Sequence, residues 1–361
     1  MSAAREATGR GAGRGACGDR LEGARRAHLW LALVLLGSCV ASLSIGASGT
    51  SAAAALFKLA SGEALSLTER VVLFDIRLPR TLMGLLVGAA LAVSGAVMQG
   101  LFRNPLADPG IVGVSAGAGL GAIAAIVLGG MLPVALQGAV GPYLVPVAAF
   151  AGSWASVVLL YVVATRGGHT SVATMLLAGI ALGALTGAVS GLMVYASDDQ
   201  QLRDLTFWQM GSLGGATWQK IAVAGPVILL ALAGAVLLGH ALNGLALGEA
   251  AAMHLGIPVQ RAKRLAILAV AAATGTAVAV SGGIGFIGIV VPHLLRLATG
   301  PDHGPLLINA ALLGGALLLW ADVAARVVIA PAELPIGIVT AVIGAPVFLW
   351  ILLRRRGEFG L

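Results

Sequence analysis

Residues 109–165 contain no Asp, Glu, Lys or Arg. No soluble fold leaves so long a stretch uncharged, because soluble domains average about 25% charged residues. Further charge-free stretches run 27–57, 81–102, 167–197, 221–248, 265–295, 303–321 and 334–353. A helix needs about 20 apolar residues to cross the hydrocarbon of a bilayer, and most of these stretches are that long. Their apolar character is continuous, whereas a transmembrane β-barrel alternates polar and apolar residues. Over its 361 residues the chain is 58% hydrophobic and 10% charged, which excludes a soluble enzyme and, outside the N-terminus, disorder.

The stretch 109–165 is long enough for two crossings, with Pro133, Gly138, Gly141 and Pro142 marking the turn. Ser281, Gly282, Gly283 and Gly285 divide 265–295 into a helix end and a helix start. The reading is an all-α polytopic membrane protein with about ten helices. They are predicted near 28–48, 80–102, 113–131, 143–164, 172–196, 221–241, 263–281, 285–298, 306–328 and 335–353, the eighth being short for a full span.

Ten crossings place both termini on one side. With the N-terminus inside, the cytoplasmic side holds 15 Lys and Arg residues and the outer side 7. That asymmetry satisfies the positive-inside rule and accounts for the net charge of +7 without nucleic acid. Residues 1–27 read as a disordered cytoplasmic tail, 28–356 as the membrane domain and 357–361 as a C-terminal tail. Arg77, Arg80 and Arg326 go against the charge trend, at the outer ends of helices. Leu78-Pro79 is expected to form a rigid turn that presents Arg77 and Arg80 just before the second helix.

The sequence has no Walker A motif, HExxH or CxxC, and Cys17 and Cys39 make no metal cluster. Gly283-Ile-Gly285-Phe-Ile-Gly288 fits a dinucleotide fingerprint literally, but that pattern needs a soluble βαβ unit; at a membrane helix break it reads as a glycine-rich turn. His293 reads as a hydrogen-bonded structural residue. Gly179, Gly183, Gly187 and Gly191 give the fifth helix one nearly bare face. That face either packs a neighbour, with Thr186 and Ser190 bonding across, or lines a pathway. Asp322 and Arg326 are spaced to pair on the ninth helix, and Glu333 precedes the last helix as a capping carboxylate. Few ionisable residues lie at mid-membrane depth. That argues against an ion-coupled secondary transporter, the alternative from another class, and no catalytic cluster marks an enzyme.

Several strings carry a resemblance. Asp75-Ile-Arg77-Leu-Pro79-Arg80 leads into Gly88-Ala-Ala-Leu-Ala-Val-Ser-Gly95 and Gln99. Arg103-Asn104-Pro105-Leu106-Ala107-Asp108-Pro109 and Gly113-Val-Ser115-Ala-Gly117 follow. Later come Leu247-Gly248-Glu249, Leu255-Gly256-Ile257 and Gly285-Phe-Ile-Gly288-Ile-Val-Val-Pro292-His293. Glu333-Leu-Pro335-Ile-Gly337 and Gly344-Ala-Pro346-Val-Phe348 close the set. Together they resemble the permease subunits of type II ABC importers for iron-siderophores, haem and cobalamin, the FecCD-like family, over roughly residues 28–353.

The resemblance implies a homodimer in the bacterial inner membrane, with the pathway on the dimer axis. It also implies two ATPase subunits on the cytoplasmic side and a periplasmic binding protein outside. ATP would act on the partner, so the permease would hold no permanent cofactor or metal. A cytoplasmic coupling loop is expected at about 243–262, formed as two short helices. Its contacts with the ATPase would come from Gly248, Glu249, Ala250, Leu255, Gly256 and Ile257, with Gly256 permitting the sharp turn between the two short helices. Asn104, Leu106, Thr170 and Ser171 would form the cytoplasmic gate; Thr170 and Ser171 also read as ordinary helix N-caps. Arg77, Arg80 and Arg326 would receive acidic residues of the binding protein; the structural alternative is snorkelling to lipid phosphates or local pairing with Asp75 and Asp322. The segment Leu202–Trp218 looks more like haem permeases than cobalamin ones, so haem is the expected substrate and a ferric siderophore the runner-up.

Overall fold

The computed structural model describes Gly23, residues 26–46, Lys58 and residues 61–354. Most of the predicted tail 1–27 and all of 357–361 lie outside the described residues. Thirteen helices and one short hairpin are present among the described residues. Helices α1 (Arg26–Ser44), α2 (Leu67–Phe102), α3 (Val114–Leu128), α4 (Val134–Ala164) and α5 (Val172–Tyr195) come first. The hairpin strands β1 (Thr165–Arg166) and β2 (His169–Thr170) join α4 to α5. Then follow α6 (Asp199–Met210), α7 (Trp218–Leu237), α8 (Gly239–Ala246), α9 (Glu249–His254) and α10 (Val259–Ser281). The last three are α11 (Ile287–Thr299), α12 (His303–Val327) and α13 (Ile336–Arg354). Eight helices are long and apolar enough to cross a bilayer, and α11 and α13 supply two shorter apolar ones. The ten predicted spans are therefore all helical.

Helix α2 is the axis of the bundle. Within its most apolar stretch 89% of the residues are buried, against 17% in α5 and 11% in α1. Glycine makes this centrality possible. A Cβ on Gly88 would meet the backbone of Gly314 on α12, and a Cβ on Gly95 would meet the backbone of Gly288 on α11. In lipid, where there is little hydrophobic gain between helices, such close backbone contact supplies much of the packing energy.

The second helix corrects the sequence reading. It starts at Leu67, where Ser66 and Glu69 close a capping box, and runs through Leu78-Pro79 without a turn. The reason is a π-helical stretch, Val71–Arg77, immediately before the proline. Its wider winding sends the Leu78 N–H to the Leu73 carbonyl and shifts the hydrogen-bond register where Pro79 has no donor to give.

Helix α6 lies outside the ten predicted spans. Asp198 caps it by accepting from the Gln200 and Gln201 backbone, and the Gln201 side chain returns the bond to the Asp198 N–H. The segment between α7 and α10 spans residues 238–258, a little earlier than the expected 243–262.

Candidate coupling and gating sites

The first site is the short helix α9. Gly248 caps its start at φ 109° and Gly256 follows its end at φ 78°, so the turn between the short helices α8 and α9 falls at Gly248, and Gly256, expected there, instead turns the chain from α9 into α10. The Ile257 N–H bonds the Ala252 carbonyl at 3.0 Å and the Gly256 N–H bonds the Met253 carbonyl at 2.9 Å. This is the paired closure that requires a left-handed residue after the last turn, the position glycine fills most cheaply. No atom crowds a Cβ at Gly256, so the demand there is conformational alone. Ala252 on α9 and Ile257 just after it are buried, while Leu247, Met253 and Leu255 are exposed. Exposed apolar side chains on a tightly capped helix make a knob suited to a partner's groove.

The second site is the start of α5. The β1–β2 hairpin pairs Thr165 with Thr170 and Arg166 with His169. Its two-residue turn, Gly167-Gly168, has both φ angles positive, which matches the strand twist. Ser171 caps α5 by accepting from the Thr174 N–H at 3.2 Å, so the expected capping role is observed. Thr170 is buried and does not cap. Helix α10 carries Gln260 and Lys263 to this hairpin; in the sequence Lys263 reads only as one of the inside charges.

Asn104 and Leu106 lie just beyond α2, where Arg103 occupies the left-handed region at φ 49°. The Asn104 side chain accepts from the Leu106 N–H at 3.0 Å and fixes the turn. A Cβ at Gly248 would be 3.8 Å from the Arg103 guanidinium, so this turn and the start of α9 share one end of the bundle. Asp108 then accepts from the Gly110 N–H at 2.8 Å. Burial pushes its carboxyl above the usual range and that hydrogen bond opposes the shift.

The opposite end holds the arginines, and here the expected exposure is not found, while the alternative of local pairing with Asp322 is. Arg77, Arg80 and Arg326 are 5%, 7% and 6% exposed. Arg80 meets Asp322 through Nε at 2.9 Å and Glu333 through Nη1 at 2.9 Å. Arg326 meets Asp322 at 3.1 Å, as its spacing predicted, and donates to the Ile45 and Ser42 carbonyls at 3.1 and 3.2 Å. Arg77 donates to the Leu43 carbonyl at 2.6 Å. The physical reason is that α1 ends here: its last carbonyls have no partners of their own and take the guanidinium donors instead. Glu333 thus acts as an ion-pair partner of Arg80.

The glycine face of α5 is open. A Cβ on Gly183, Gly187 or Gly191 would meet nothing, while Gly179 is buried. Thr186 bonds back to the Leu182 carbonyl of its own helix at 2.9 Å, not across to a neighbour. Beside it lies an open apolar groove, lined among others by Gly117, Gly152, Leu182 and Thr186.

The described residues form a polytopic helical membrane bundle with an exposed, capped short helix and a hairpin-tethered helix at one end. Residues 33–354 match the FecCD transport family, and the chain belongs to that family as a permease of ABC importers. It is 49% identical over 284 residues to the hemin transport system permease protein HmuU of Yersinia pestis, covering 79% of this chain and 84% of that one. It is 43% identical over 338 residues to the vitamin B12 import system permease protein BtuC of Klebsiella pneumoniae, covering 92% and 96%. Among solved structures, an inward-facing conformation of a metal-chelate type ABC transporter superposes with a TM-score of 0.80. It is 32% identical and covers 91% of this chain and 99% of that one.

Proposed function

We propose that this chain is the membrane subunit of an ATP-driven haem importer, acting as a homodimer in the bacterial inner membrane. The observation that carries the reading is α9: a capped, outward-facing apolar knob at the same end of the bundle as the gate segments. ATP hydrolysis belongs to two partner subunits that receive α9 in a groove. Gly248, Glu249, Ala250, Leu255, Gly256 and Ile257 form the coupling element; Asn104, Leu106, Thr170 and Ser171 form the gate. The α9 end faces the cytoplasm with both termini, in keeping with the charge asymmetry of 15 to 7.

A periplasmic binding protein docks at the other end. Arg77, Arg80 and Arg326 hold that rim in shape from inside, and the half-exposed Glu333 carries their charge network to the surface. The open glycine face of α5 lines the pathway across the dimer axis. A smooth, apolar passage suits a large flat substrate that must not be held tightly.

Haem is favoured by the hemin permease at 49% identity. Cobalamin is the second reading, because the vitamin B12 permease aligns over more of the chain; a ferric siderophore is the third. Competition decides among them. Cells relying on this importer should take up haem, and excess cobalamin or ferric siderophore should not compete. Cobalamin uptake that haem does not inhibit would replace the first reading with the second.

A further inference from the structure

We infer that Lys263 is a positioning residue that carries movement of α9 to the start of α5. The inference rests on the coupling and gating roles proposed above. Lys263 is 2% exposed, yet its ammonium joins three separate elements. Nζ lies 2.7 Å from Glu249 Oε1 on α9 and donates to the Thr170 carbonyl on the hairpin at 2.8 Å. One helical turn earlier, Gln260 Oε1 accepts from the Thr170 N–H at 2.9 Å. Residues three apart share a helix face, so α10 grips both backbone polar groups of one gate residue.

The grip is stiff on the gate side. The Ser171 N–H bonds the Ala164 carbonyl at 2.9 Å, and the Thr165 and Thr170 hydroxyls meet at 3.0 Å. Ser171 then caps α5, so hairpin and helix move together. On the α9 side the tie is electrostatic. A buried ammonium is costly without a counter-charge, and Glu249 supplies one from a side chain that is 40% exposed. When a docked partner shifts α9, Glu249 withdraws from Lys263 unless α10 and the hairpin follow. The chain Glu249–Lys263–Thr170 is thus a contiguous path with a physical reason to move as a unit.

The test uses the complete complex with its ATPase and binding protein, with Cys17 and Cys39 replaced by Ser. A spin label at Arg166→Cys, an exposed hairpin site, reports the distance between the two copies by pulsed electron resonance. In the parent the distance should shift when ATP binds. With Lys263→Met the ATPase should still co-purify, the shift should vanish and uptake should fall about tenfold or more, an ordinary size for coupling between sites. Lys263→Arg keeps both bonds and should restore the shift. Gln260→Ala removes the second hold on Thr170 without stranding a charge, so it covers the case in which Lys263→Met does not fold, and it should shrink the shift. A Lys263→Met or Gln260→Ala complex that shifts like the parent overturns the relay. A parent with no shift overturns the gate role itself.

Discussion

Arg80 and Asp322, 242 residues apart in the chain, form a buried ion pair that ties α2 to α12. Asp322 receives Arg326 as well, so one carboxylate answers two guanidinium groups. Removing it should leave two like charges buried side by side. Breaking a buried pair from one side costs about 3–5 kcal/mol, so Asp322→Ala should melt well below the parent in a thermal unfolding scan of the purified permease. Glu333→Gln, at a half-exposed partner, should cost about 1 kcal/mol or less. Converting Arg77, Arg80 and Arg326 together to Glu should prevent folding of this end, visible as loss of monodisperse protein; a well-folded triple variant would contradict the network.

Gly256→Arg should abolish transport while the protein still inserts and dimerises. The left-handed conformation costs a non-glycine residue roughly 1–2 kcal/mol, enough to open the paired closure after α9 without unfolding a bundle. Gly256→Asn, which tolerates that conformation better, should keep part of the activity. Uptake by a well-expressed Gly256→Arg variant equal to the parent's would contradict the account of α9.

The two glycine sets should behave oppositely. Gly95→Ala places a Cβ against the Gly288 backbone and should force α2 and α11 apart, lowering the yield of folded protein. Gly187→Ala meets no atom within the chain and should fold normally. Size-exclusion profiles of the two variants make the comparison; equal yields would show that the α2–α11 approach is not required.

The gate reading makes a covalent prediction. Leu106→Cys with Ser171→Cys, in a background without Cys17 and Cys39, should crosslink near the dimer axis to an extent that changes with nucleotide. A yield indifferent to nucleotide would leave Ser171 only its capping bond to Thr174.

The spans were legible in the sequence because each is an uncharged run about one bilayer long. The capping of α5 by Ser171 and the Asp322–Arg326 pair were legible too, since both are local and follow helical spacing. What escaped depends on partners far away in the chain. Pairing with Asp322 is one of two readings the sequence leaves open, nothing near Arg80 foretells Glu333, and an arginine at the end of an apolar run looks the same whether it faces water or a neighbouring helix. Helix α2 escaped at its start because proline after a π-helical stretch reads as a break. Helix α6 has a local signal, the Asp198–Gln201 capping box, but it is too short and polar to read as a span. Lys263 had none, since a buried lysine in a basic cluster reads as topology.

The central claim is that the α9 end faces the ATP and drives passage of haem. The direct measurement is haem accumulation in proteoliposomes holding the permease with its ATPase, with the haem-loaded binding protein on one side and ATP confined to the other. The account predicts accumulation only where ATP lies on the α9 side, abolished by Gly256→Arg. Haem passage without ATP, or driven by an ion gradient alone, would contradict it.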